Sequence, residues 1–203
     1  MKSKDSIFKQ TYEDYLELIK DKDLEDISRK LGAKFENDEI IIKLFNDEYS
    51  VSAEGISDFS NQKPSYDICV ILSKYILLCP DTPPGNHDWF SYKDFRNSAP
   101  LVNYFRNEVE DVIGSHFSGK LNVLRKASEL LAGYPPSVNV NYDFAVQFNA
   151  LPLIPIILLY NDPDEEFPAN CSLLFDSQSE NYLDCECLAM LGRQLCTQLV
   201  NTT

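Results

Sequence analysis

The sequence predicts an α+β fold in which mostly antiparallel sheets are flanked by helices. Apolar side chains alternate with polar ones in two separate parts of the chain, and the segments between them repeat apolar residues at helical spacing. Strands and helices are therefore grouped rather than strictly alternating, which favours this class over a doubly wound α/β sheet. A chain of 203 residues is long enough to bury one sizeable core.

The first half is predicted to form two helices and a β-hairpin. Apolar residues at helical spacing define a helix over 6–20, and a second, short helix begins at Asp23 and ends at Gly32. The period then changes to two, and strands over 39–45 and 48–53 are predicted to pair as a hairpin.

A loop, a buried helix and a second loop follow the hairpin. Residues 54–64 are polar, and the helix after them is predicted to be the most buried one, with Cys79 on its core face and Cys69 off it. The stretch 80–88 contains three prolines and a glycine, which interrupt any helix or central strand. We interpret it as a surface loop in a single domain covering 1–203, the alternative being a subdivision of the chain there.

The second half is predicted to begin with a short aromatic strand at 89–95 and two helices capped by Ser98 and Ser118. Three strands and a C-terminal helix from about Asp184 come next. The middle strand, 153–160, is apolar on both faces, so we expect it at the centre of a sheet.

The charge of the chain argues against two classes of partner. The formal net charge is −14, from 32 acidic and 18 basic residues, and the basic residues are scattered. Such a surface repels the phosphates of nucleic acids and of anionic membranes, so we expect neither as a partner. A protein or a small molecule remains open as a partner.

The sequence predicts a soluble, cytoplasmic protein. Residues 1–14 contain no apolar segment of the length that a signal peptide needs. The most apolar run, 150–160, is too short to cross a bilayer and contains Pro152 and Pro155. Six cysteines without a secretory signal are expected to be reduced thiols.

No familiar catalytic or metal-binding motif is complete. The run from Gly114 to Lys120 matches G-x-x-x-x-G-K, but Leu121 stands where a phosphate-binding loop has a hydroxyl, and the preceding segment is helical rather than a strand. His87 and His116 are too few for a three-histidine centre, and the cysteines lack the C-x-x-C spacing of zinc or iron–sulfur sites. The sequence therefore indicates no particular cofactor.

The first candidate site is an aromatic block beside the proline-rich stretch. It consists of Trp89, Phe90, Tyr92 and Phe95, and we expect Trp89 and Tyr92 to offer a rigid contact surface. The alternative is that these rings belong to the core.

The second candidate site is an acidic loop after the predicted central strand. It carries Asp162, Asp164, Glu165 and Glu166, and clustered carboxylate oxygens are the ligands that Mg²⁺ and Ca²⁺ prefer. The alternative is a solvated loop that binds nothing.

Several segments spread over nearly the whole chain carry a resemblance to a known family: 89–95, 151–160, 164–168, 173–176, 182–183 and 188–192. Through them the chain resembles a bacterial and archaeal family, domain of unknown function 3786. The resemblance implies no activity, so no catalytic residue carries over from it.

Two functional hypotheses follow from the sequence. The first is a non-enzymatic binding or accessory domain that uses the aromatic block. The second is an enzyme or cation-binding protein that uses the acidic loop, residues 162–166. The sequence leaves open whether the protein is an enzyme.

Overall fold

The computed structural model describes residues 4–85 and 87–202, with side chains from Lys9 onward. The predicted α+β class is confirmed, because the described strands form two antiparallel four-stranded sheets accompanied by helices.

The first sheet consists of four consecutive strands, each antiparallel to the next. Its middle strands alternate buried and exposed side chains, as the period of two requires. The strands and the helices around them are α1 (Lys4–Lys20), α2 (Leu24–Leu31), β1 (Lys34–Glu36), β2 (Glu39–Leu44), β3 (Asp47–Val51), β4 (Ile56–Asp58) and α3 (Tyr66–Leu77).

The predicted hairpin is confirmed, and its turn is formed by Phe45 and Asn46. Leu44 pairs with Asp47, so the turn lies one residue earlier than the sequence suggested. The sequence did not predict β1 and β4, because three residues are too few to show a period of two. β4 lies within the segment 54–64, which we had expected to be a loop.

The predicted exposure of Cys69 is wrong, and Cys79, which packs against the core as predicted, lies outside the third helix. Cys69 is fully buried, whereas Cys79 lies beyond the last helical residue, Leu77, and is only partly buried. The physical reason is that α3 packs against both α1 and α7. A helix covered on two sides buries more than the single stripe that helical spacing identifies.

The second sheet has the strand order β5-β8-β7-β6 and is antiparallel throughout. The predicted central strand is confirmed, because β7 lies between β8 and β6 and residues 156–160 are all buried. The remaining elements are β5 (Trp89–Ser91), α4 (Val102–Phe105), a π-helical turn (Arg106–Glu110), α5 (Asp111–Phe117), α6 (Leu121–Leu130), β6 (Phe144–Leu151), β7 (Ile154–Asn161), β8 (Asn170–Asp176) and α7 (Cys185–Asn201).

Three boundaries in the second half differ from the sequence prediction. The aromatic strand ends after Ser91, and Tyr92–Asp94 forms a 3₁₀ turn. Ser98 precedes another 3₁₀ turn rather than an α-helix. Ser118 ends α5 instead of capping the next helix, which begins after Lys120.

The two sheets share one contiguous cluster of buried apolar side chains. A backbone hydrogen bond also joins them, from the Phe45 N–H to the Ala150 carbonyl at 2.9 Å. Such continuity is what one domain over 1–203 requires, and that domain assignment stays a prediction. None of the described helices is long and apolar enough to cross a membrane.

Helix α7 approaches the second sheet and its flanking helices closely at Gly192. A Cβ atom at this position would lie 2.5 Å from Cε2 and 2.8 Å from Cζ of Phe105. Glycine is required here because no side chain fits between the helix backbone and the phenyl ring.

We expect Gly192→Ala to lower the free energy of unfolding by about 1 kcal/mol. Overpacking a core costs roughly 1–3 kcal/mol, and the gain of roughly 1 kcal/mol that alanine has over glycine in a helix offsets only part of this cost. Urea denaturation followed by circular dichroism measures the difference.

The matched control is Gly114→Ala in α5. A Cβ at Gly114 would meet the carbonyl oxygen of Ala169 at 3.5 Å and the nitrogen of Cys171 at 3.6 Å, which are ordinary contacts. This variant should be neutral or slightly stabilising, and equal losses of stability in both variants would contradict the packing argument.

Candidate functional site

A cleft of about 420 Å³ lies between the outer face of the first sheet and the edge of the second, and we call it the inter-sheet cleft. One wall comes from β1, β2 and β3. The other comes from the turn after α6 and from β6. Its volume falls within the range of about 300–1,000 Å³ that is typical of small-molecule sites.

The first wall is formed by alternate residues that point away from the core. Lys34 of β1 faces Ile41 of β2, and Lys43 follows Ile41 by two positions. The period of two therefore places two ammonium groups and one isoleucine on the same surface. The Nζ of Lys43 lies 3.7 Å from Oε1 of Glu48, whereas Lys34 has no ion pair within the described part of the chain.

The second wall is organised by Tyr134. This residue pairs with Gln147 on the outer edge of β6, with backbone N···O distances of 3.0 and 2.8 Å. Its hydroxyl accepts a hydrogen bond from Nε2 of Gln147 at 2.8 Å and donates one to Oδ1 of Asn149 at 2.7 Å. Leu131 adds an apolar side chain to this wall.

Two non-glycine residues with left-handed backbone conformation line the cleft. They are Phe45, with φ of 53°, and Ala132, with φ of 56°. Non-glycine residues in this region cost about 1–3 kcal/mol each, persist only where the surroundings hold them, and cluster at ligand sites. Here Phe45 is held by its hydrogen bond to Ala150, and Nδ2 of the adjacent Asn46 donates to the carbonyl of Leu130 at 2.8 Å.

The aromatic block predicted from the sequence is divided between the core and the surface. Tyr92 is buried, stacks on Phe105 with ring centroids 4.3 Å apart, and donates its hydroxyl hydrogen to the Cys185 carbonyl at 2.8 Å. Trp89 is partly exposed at the edge of the sheet, where it pairs with Asp176. A binding role for Trp89 stays a prediction.

Asp176, the strand partner of Trp89, also contacts the proline-rich stretch. Its Oδ2 lies 2.6 Å from Nδ1 of His87, and its Oδ1 accepts from the Gln178 N–H. The His87 side chain is 72% exposed, so this pair lies at the surface. This pair could not be predicted from the sequence, because 89 positions separate the two residues.

The acidic loop forms a compact turn around Asp164. Its Oδ1 accepts hydrogen bonds from the N–H groups of Glu166 at 2.8 Å and Phe167 at 2.7 Å, and these two bonds lower the pKa of Asp164. Glu165 and Glu166 are exposed. No group of three or more His, Cys, Asp or Glu side chains in the described residues has a metal-binding arrangement. Cation binding by this loop stays a prediction.

The two predicted sites do not combine into one. Trp89 pairs with the last residue of β8, Asp176, whereas the acidic loop precedes the first, Asn170. A strand of this length separates them by about 20 Å. None of the residues Trp89, Tyr92, Asp164, Glu165 and Glu166 lines the inter-sheet cleft.

Comparison with known families gives one match. The model of a family described as a domain of unknown function, DUF3786, matches residues 23–198. The chain belongs to the DUF3786 family. No curated protein and no solved structure is significantly similar to it.

The DUF3786 match contains every residue that lines the inter-sheet cleft. The sequence alone did not identify Lys34, Lys43, Tyr134 or Asn149 as site residues. They come from separate segments, and within its own segment each is an exposed polar residue like many others on a protein surface. The only available signal was the alternation in β2, which places Ile41 and Lys43 outward.

A partly buried carboxyl group of this DUF3786 protein lies at the far edge of the second sheet. Glu110, the last residue of the π-helical turn, accepts the Leu173 N–H at 2.9 Å on the part of β8 that extends beyond β5. Burial raises the pKa of Glu110, and the hydrogen bond from Leu173 opposes this only in part.

We expect Glu110→Gln to stabilise the protein more at pH 7 than at pH 4. Because the folded-state pKa of Glu110 is raised, its contribution to stability is present when the group is protonated and is lost as the pH rises through that pKa. Glutamine retains an acceptor for the Leu173 N–H and carries no charge at either pH. Urea denaturation at both pH values measures the difference.

Glu108→Gln is the matched control for this measurement. It lies in the same π-helical turn, and its side chain is exposed. A stability difference between Glu110→Gln and the wild type that is the same at pH 4 and pH 7 would contradict the assignment.

We expect Asp164→Ala to lower the melting temperature with or without divalent cations, because it removes the acceptor of two backbone N–H groups. The melting temperature of Asp164→Asn, which keeps an acceptor oxygen, should lie between those of the wild type and Asp164→Ala. The measurement is thermal denaturation in millimolar Mg²⁺, in millimolar Ca²⁺ and in EDTA. A rise in the wild-type melting temperature with either cation that is lost in Asp164→Ala would instead favour the cation site.

Proposed function

We propose that this protein is a binding or accessory domain whose ligand is a small organic molecule held in the inter-sheet cleft. One observation carries the proposal: a cleft of about 420 Å³ with one wall from each sheet. A concave site with apolar surface and a few convergent polar groups is the usual form of a small-molecule site.

The walls supply both kinds of contact. Ile41 and Leu131 offer apolar surface from opposite sides of the cleft. Lys34, Lys43 and Asn149 bring polar groups to the same space. An apolar surface gives affinity through burial, and the polar groups fix the orientation of the ligand.

The backbone of the cleft is held in place before any ligand binds. Hydrogen bonds from Phe45 to Ala150 and from Asn46 to Leu130 attach the hairpin tip to the second sheet and to the end of α6. A site that is already ordered loses little conformational entropy on binding, so even a small ligand can bind measurably.

The acidic loop supports the alternative, an enzyme or a cation-binding protein, less well. Asp164 already accepts two backbone hydrogen bonds, and its neighbours Glu165 and Glu166 are exposed. A small-molecule ligand in the cleft is therefore the function that we favour.

We also propose a cytoplasmic location. All six cysteines are free thiols, four of them buried, which fits a reducing compartment. A net charge of −14 argues against nucleic acid as the partner.

The test uses N-phenyl-1-naphthylamine, an uncharged dye whose fluorescence rises in apolar sites. We expect the wild-type protein to bind one dye molecule, and we expect Ile41→Trp, which narrows the cleft from the first wall, to weaken binding about tenfold or more. Fluorescence titration measures the affinity and the stoichiometry.

Ser57→Trp is the matched control, because Ser57 lies on the same outer face of the first sheet and does not line the cleft. It should bind the dye as the wild type does, and melting curves show whether both variants are folded. Absence of dye binding by the wild type, or equal binding by folded Ile41→Trp, would refute the proposed function.

A further inference from the structure

Basic side chains outnumber acidic ones among the residues that line the inter-sheet cleft. On the outer face of the first sheet, Lys34 and Lys43 line the cleft together with a single acid, Glu48. Glu36 and Glu39 lie on the same face outside the cleft, and Glu39 accepts a hydrogen bond from Ser50. In a chain with a net charge of −14, the cleft thus combines two lysines with one glutamate.

The geometry of the sheet allows both lysines to reach one group. Lys34 pairs with Ile41, and Lys43 is two residues further along β2, so the two lysines are diagonal neighbours. Diagonal neighbours of antiparallel strands are about 7–8 Å apart, a distance that two flexible ammonium side chains can bridge around a single anion.

The opposite wall presents a hydrogen-bond donor. The Tyr134 hydroxyl accepts from Gln147, so its own hydrogen goes to Oδ1 of Asn149. This leaves the Nδ2 group of Asn149, which makes no hydrogen bond within the described residues. Its two N–H donors are therefore available to a ligand that accepts hydrogen bonds.

Two carbonyl groups at the helix ends beside the cleft already accept hydrogen bonds. The helices α2 and α6 both end at the cleft, where their last carbonyls carry partial negative charge. The Ser28 carbonyl accepts from the Ala33 N–H at 2.9 Å, and the Leu130 carbonyl accepts from Nδ2 of Asn46 at 2.8 Å. These hydrogen bonds reduce the pull of the two helix ends on a cation.

From these observations we infer that the ligand of the inter-sheet cleft is an amphiphilic organic anion. Its carboxylate, sulfonate or phosphate group binds between Lys34, Lys43 and Asn149, and its apolar part lies against Ile41 and Leu131. This inference rests on the proposed function and adds the chemical class of the ligand.

The experiment compares two dyes of the same shape. 8-Anilinonaphthalene-1-sulfonate has the rings of N-phenyl-1-naphthylamine and an added sulfonate. We expect the wild-type protein to bind the sulfonate dye at least about fivefold more tightly than the uncharged dye. The affinity for the sulfonate dye should fall as the salt concentration rises. The double variant Lys34→Gln/Lys43→Gln should lose this preference while its affinity for the uncharged dye changes less than about twofold.

The double variant Lys93→Gln/Lys126→Gln is the control for net charge, because both lysines are exposed and neither lines the cleft. It should retain the preference for the sulfonate dye. The inference is overturned if both dyes bind the wild type equally, or if Lys34→Gln/Lys43→Gln keeps the preference. In those outcomes binding of the uncharged dye still supports the proposed function. Failure of the wild type to bind either dye overturns both.

Discussion

The packing of the two sheets depends on how the backbone N–H and C=O groups on the outer edge of β6 find hydrogen-bond partners. An edge strand presents unpaired N–H and C=O groups, which must find partners if they are not to face other chains. Here Gln147 exchanges two hydrogen bonds with Tyr134, and the Ala150 carbonyl accepts the Phe45 N–H. The first sheet thereby meets the second at its edge, and the space that remains beside this junction is the inter-sheet cleft.

At the opposite edge of the second sheet, the backbone N–H and C=O groups find their hydrogen-bond partners in a different way. Strand β5 covers only the end of β8, from Leu174 to Asp176. Beyond it, the π-helical turn and α5 pack on β8, and Glu110 accepts the Leu173 N–H. A carboxyl group used in this way is partly buried, which is why its pKa is raised. One edge is therefore covered by backbone groups of Tyr134 and Phe45, and the other by β5 and the Glu110 side chain.

The sequence predicted the elements that have a clear period, and it missed features that depend on distant contacts. The central strand β7 was identified because it is apolar on both faces, and α2 because Asp23 and Gly32 mark its ends. The burial of Cys69 could not be inferred, since it depends on elements distant in the chain that pack on α3, such as α1. The cleft could not be inferred either. No local pattern shows that Lys34 faces Asn149, or that Phe45 adopts a left-handed backbone conformation.

The position of the cleft along the chain has a consequence for folding. Its two walls are contributed by residues roughly a hundred positions apart, such as Ile41 and Asn149. Neither sheet contains the whole cleft. The cleft therefore exists only after the first sheet has packed against the second. A ligand bound there would favour the state in which the two sheets are packed together, and it would raise the free energy of unfolding with its concentration. Occupancy of the cleft would therefore report that the first sheet has packed against the second.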